Sequence, residues 1–138
     1  MKDLKLTSGL SVDQIAGFAA LASGSAWLLW AAINLSTGGG LDTGMASPNL
    51  IVTGKFLMVA QNLLLIPTAI VLKDWMDRQN SETSSICTTC GIAGMAFWAF
   101  ASASGTNNLV VEASYLCLFG IWWLGIGLTI RHKHRIFG

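Results

Sequence analysis

Charge is what this sequence has least of. Only 11% of its 138 residues are Asp, Glu, Lys or Arg, less than half of the roughly 25% that soluble domains carry. A chain this poor in charge cannot cover a water-facing surface. Its net charge of +1 provides no basic field and excludes an extended nucleic-acid interface. The two histidines, His132 and His134, both lie in the C-terminal tail, so no apolar stretch offers the pair that would grip a haem between helices. Paired acids that would mark a carboxylate metal site or a proton relay are missing, as is a glycine-rich nucleotide loop. The three cysteines are an odd number and build no disulfide framework. Neither a metal nor an organic cofactor is expected.

Long apolar runs take the place of charge. Hydrophobic residues make up 53% of the chain, with a mean hydropathy of +0.59. Four runs, about 12–35, 49–72, 86–103 and 109–130, approach or exceed the roughly 20 residues that cross a bilayer as a helix. The expected fold is an all-α membrane protein, a single domain over 1–138 forming a four-transmembrane-helix bundle, up-down-up-down. The first run is longer than the apolar core of about 7–15 residues in a cleaved signal peptide, and reads as a retained span.

Each run has its own character. Ser11 is placed to cap the first helix, with Asp13 in its first turn. Ala16, Ala20 and Gly24 recur every fourth residue, a stripe that lets another helix approach closely. That helix is either a neighbour in the bundle or a second copy. The third run is dominated by Gly and Ala, which suits the middle of a bundle. The segment from Ser104 to Asn108 is short, so the third and fourth helices should be antiparallel neighbours. The segment 36–48, rich in glycine, reads as a flexible connector, with Ser47 and Pro48 opening the second helix. Within it, Leu41-Asp42-Thr43-Gly44 matches the short signature of aspartic proteases. That chemistry needs two such carboxylates, and this chain has one copy.

Orientation follows from the basic residues. Lys2, Lys5, Lys73, Arg78, Arg131, Lys133 and Arg135 all fall on one side of the expected bundle, and only Lys55 of the eight does not. The positive-inside rule then puts both termini in the cytoplasm of a multi-pass cell-membrane protein. The segments 36–48 and 104–108 face outward.

Lys55 and Glu112 are the residues a purely structural span would not need. Both fall in the outer part of their helices, where a Lys–Glu pair would lower the cost of an intramembrane charge. The bland alternative is that Lys55 snorkels to the headgroups and Glu112 sits at a wet helix end. Asn34 and Asn107 belong to the same outer region. On the second helix Lys55, Met58, Asn62 and Ile66 share one stripe, so Asn62 lies below Lys55 and Gln61 points elsewhere. Pro67 removes one backbone donor and leaves the carbonyl of residue 63 without its helical partner. These polar groups must find partners inside the bilayer, by bonding between helices or by lining a ligand or ion pathway.

Cys87 and Cys90 form C-T-T-C at the start of the third helix, a spacing that suits thiol–disulfide exchange. In this respect alone the chain is similar to the vitamin K epoxide reductase and quinone-linked disulfide-forming families. Their chemistry requires a second, outer cysteine pair, and only Cys117 remains. The orientation also places Cys87 and Cys90 on the reducing side.

With no complete catalytic set, the sequence points to a non-enzymatic membrane protein. Its partners would be the lipid bilayer and either further copies of itself or other membrane subunits. Two alternatives stand beside that reading. One is a small transporter or channel lined by Lys55, Asn62 and Glu112. The other is a thiol oxidoreductase using Cys87 and Cys90.

Overall fold

A computed structural model describes residues 11–78, 84–106 and 108–136. It contains five helices among these residues: α1 (Val12–Ser36), α2 (Gly40–Thr43), α3 (Pro48–Arg78), α4 (Ser84–Ser104) and α5 (Leu109–Ile136). The four long helices are each long and apolar enough to cross a membrane. The protein is a small multi-pass integral membrane protein built as a helical bundle.

The helix starts follow local chemistry. Ser11 accepts from the Gln14 backbone amide, and the Gln14 side chain returns a bond to the Ser11 amide, a complete capping box. Pro48 is the first residue of α3, where its missing donor costs nothing. Asn108 caps α5 by accepting from Val111 at 3.0 Å. The helix ends at Lys73–Arg78 extend past the expected boundary at Leu72. Two ion pairs at four-residue spacing, Lys73–Asp77 and Asp74–Arg78, support that extra turn. The Ser84 hydroxyl donates to Asp77 and ties the start of α4 to the end of α3. Helix α3 also runs unbroken through Pro67.

The segment 36–48 is more ordered than a flexible connector. It folds back as α2, bounded by Gly39 and Gly44, which take left-handed φ values of 83° and 72° that side chains disfavour. Asn34 holds this turn from the end of α1. Its Nδ2 donates to Asp42 at 2.7 Å, and its Oδ1 accepts from the Leu41 amide at 3.2 Å. Leu41 then rests on Gly54, where a side chain would meet its methyls at 3.1 Å.

Helix α1 packs on α3, α3 on α4, and α4 on α5. Helix α4 is the most enclosed: 44% of its apolar window is buried, against 17% in each of the other three. Its glycines explain why. A Cβ on Gly91 would lie 2.6 Å from the Trp122 ring, and one on Gly94 would lie 3.1 Å from Leu118. From the other side, Gly125 on α5 admits the Cys87 side chain. Ala69, Met76, Met95, Trp122 and Ile126 form the buried core of this half, with Phe119 and Trp75 packed against it. The rings of Trp98, Tyr115, Phe119 and Trp122 follow one another at centroid distances of 4.8 to 5.3 Å.

The α1 stripe departs from the expected register. Ala16, Ala19 and Ser23 are the buried positions, whereas Gly24 is exposed with open space around it. Two hydroxyls decide this. Ser23 donates to the Gln61 carbonyl at 2.9 Å, and Thr68 donates to the Ala16 carbonyl at 3.1 Å. Bonds of this kind tie helices together where water is absent, and they turn Ser23 rather than Gly24 toward α3.

Candidate functional site

At the end of the bundle where α2 lies, the helices stand apart and enclose a cavity of about 640 Å³. That is within the range of small-molecule pockets, about 300–1,000 Å³. Helix α3 contributes Ile51, Gly54, Lys55 and Met58 to its wall. Helix α4 contributes Trp98 and Ser102, and the start of α5 contributes Asn108, Leu109 and Glu112. Trp30 of α1 and the α2 residues Leu41 and Asp42 complete it.

Lys55 and Glu112 therefore line one cavity, but they do not pair. No ion pair joins Lys55 to Glu112 or to Asp42 among the described residues. Of the two arrangements open from the sequence, a Lys–Glu pair or two charges placed separately, the structure has the second. The Lys55 ammonium lies against Gly105, 2.8 Å from where a Cβ would stand. Gly105 adopts φ 73° just past the end of α4, so the cation sits by that helix's negative C-terminal end. Glu112 sits in the first turn of α5, at that helix's positive end. Each charge is accommodated by a helix terminus, and both side chains remain exposed.

The other expected site residues take distinct places. Asn34 is not in the cavity wall; it holds Asp42, which is. Asn62 is fully buried one turn beyond Met58 and donates to the Met58 carbonyl at 2.8 Å. Gln61 gives its backbone carbonyl to Ser23 on α1. Neither Asn62 nor Gln61 reaches the cavity. Asn107 lies outside the described residues. Trp30, Trp98 and Ser102 are cavity residues that their sequence context does not mark as site residues, and Asp42 stands out in the sequence only through the Leu41-Asp42-Thr43-Gly44 signature, not as a neighbour of Lys55. Their arrival depends on the fold of α2 and on the phase of α4.

Several buried polar atoms have no hydrogen-bond partner among the described residues: Gln61 Oε1, Asn62 Oδ1, Thr88 Oγ1, Ser102 Oγ and Trp122 Nε1. Such groups are costly in an apolar interior unless something satisfies them. Of these residues only Ser102 belongs to the cavity wall, and it is 4% exposed.

The cysteines are free, with Cys87 buried, Cys90 half-buried and Cys117 exposed. Among the described residues no group of three or more His, Cys, Asp or Glu side chains could hold a metal ion. The side chains of His132 and His134 lie outside that set. No family model, curated protein or solved structure matches the chain.

Proposed function

We propose that this protein is a non-enzymatic membrane protein whose cavity at the α2 end takes a small polar ligand from the outer face of the cell membrane. One observation carries the reading. A single cavity gathers Lys55, Asp42 and Glu112 without an ion pair among them, and its wall includes a buried, unpartnered hydroxyl, Ser102. Charged side chains that face one open cavity and do not pair with each other are available to a ligand of complementary charge. The positive-inside distribution of lysine and arginine supports the outward orientation of this end. Transport is the extension of the same reading, with Asn62 as the next polar group inward from Met58.

A second reading has its own support. Among the described residues helix α1 packs extensively on α3 and on no other long helix to a comparable degree, and Gly17 and Gly24 on its exposed surface have nothing within 4 Å. Small residues on an uncovered helix face favour close approach of another helix, either from a second copy or from another membrane subunit.

The ligand reading is tested by plugging the cavity. In a chain with Cys87, Cys90 and Cys117 changed to Ala, Ser102→Cys is alkylated with N-ethylmaleimide. Ligand-observed NMR then follows a set of amine, carboxylate and neutral aromatic fragments with reconstituted protein. Binding of at least one fragment before alkylation and its loss afterwards is the expected result. If no fragment binds, or if binding survives the plug, the cavity is not a ligand site.

A further inference from the structure

We infer that the ligand is an organic ammonium ion. This rests on the reading of the cavity as a ligand site and adds the chemical class.

The charge around the cavity is the starting point. Its wall carries one cation, Lys55, and two carboxylates, Asp42 and Glu112. Lys55 is turned to the C-terminal end of α4 at Gly105 and Glu112 stands at the N-terminal end of α5, so each of these two charges is offset by a helix terminus and Asp42 is the carboxylate in excess. Asp42 accepts one neutral bond, from Asn34, and that bond leaves its charge in place. Glu112 makes no ion pair among the described residues. The space between them is therefore net negative.

The remaining wall selects among cations. Trp30 and Trp98 are both half-buried at the cavity, and Trp98 is fixed by stacking on Tyr115 at 4.8 Å. Indole is the best of the aromatic partners for a cation. Leu41, Ile51, Met58 and Leu109 add apolar surface. A bare metal ion has no use for an apolar wall or for about 640 Å³ of room. It would also need several ligands together, and no such group of three occurs among the described residues. An ammonium group on an apolar body uses each part: carboxylates and indoles for the charge, aliphatic side chains for the body.

The same ammonium chemistry is present in soluble amines and in the headgroups of ethanolamine and choline lipids. Isothermal titration of the full chain in nanodiscs distinguishes them. The probes are benzylammonium, benzyl alcohol and phenylacetate, which share one ring and differ in charge. In discs of phosphatidylglycerol, benzylammonium is expected to bind at least tenfold more tightly than either other probe. Glu112→Gln and Asp42→Asn should each weaken it about tenfold, the scale of one lost charge contact. Lys55→Met should tighten it a few-fold. Glu112 and Asp42 are exposed, and unchanged thermal unfolding of their variants separates lost binding from lost fold. Unchanged affinity in phosphatidylethanolamine discs assigns the site to a soluble amine, and a tenfold loss there assigns it to the lipid headgroup. Tighter binding of phenylacetate, or no effect of both carboxylate substitutions, overturns the ammonium assignment while leaving a ligand site. Binding of none of the three probes, in a cavity that the fragment test has also found empty, removes the ligand site itself.

Discussion

The two ends of this bundle are made from the same four long helices and are built oppositely. At the end where α3 meets α4 through Asp77 and Ser84, backbones approach until only glycine fits. Gly91 lies under Trp122, and Gly125 lies against Cys87. Apolar side chains fill the space. At the α2 end the helices part, Gly54 is spent on seating a loop residue, and charged side chains surround open volume. Packing complementarity is what holds helices together in a bilayer, since lipid is as apolar as they are. The closed end supplies that packing. The open end gives it up, and an end that gives up packing while keeping three charges is where function is to be sought.

The largest effect should come from removing the closed end's centre. Trp122→Ala empties a side chain that is 2% exposed and should cost about 3–5 kcal/mol, read by reversible unfolding in mixed micelles. Gly91→Ala overfills the same contact, because its Cβ would lie 2.6 Å from the ring. A loss of about 1–3 kcal/mol is expected. A variant as stable as the parent would mean that this seam is looser than described. The smallest effect belongs to the open end. Ser102→Ala removes a hydroxyl that has no partner among the described residues, so stability should change by no more than about 0.5 kcal/mol. A loss of more than 1 kcal/mol at Ser102, roughly the worth of a hydrogen bond, would show that the hydroxyl is structurally engaged and would blur the contrast between the ends.

Much of this contrast is legible in the residues. Hydropathy marks the four spans because a bilayer demands long apolar runs. The Gly- and Ala-rich third run places α4 at the centre, for the same steric reason that buries it. Lys55 and Glu112 converge on one cavity because both lie near the N-terminal ends of α3 and α5, which run in the same direction. The rest depends on interactions that spacing does not reveal. Asp42 reaches the cavity only because Asn34 clamps α2 with both ends of its amide. A glycine-rich stretch gives no sign of that fold. Lys55 turns to Gly105 rather than Glu112, and residue spacing carries no information on that choice. The register of α1 is set by Ser23 and Thr68 finding carbonyls on the facing helix. Such hydroxyls also bond within their own helix, as Ser25 and Thr53 do here. Residue type alone does not separate the two cases.

The most direct test compares one residue from each region on the same helix. Met95 and Ser102 both lie on α4, two turns apart, Met95 fully buried in the closed core and Ser102 on the cavity wall. Each is replaced by Cys in the chain freed of Cys87, Cys90 and Cys117. A membrane-impermeant maleimide is then added to one face of sealed vesicles at a time. Rapid labelling of Ser102→Cys from the α2 face, with Met95→Cys unreactive from either face, is the predicted result. Equal protection of the two cysteines, or labelling of Ser102→Cys only from the opposite face, would contradict an open cavity at that end.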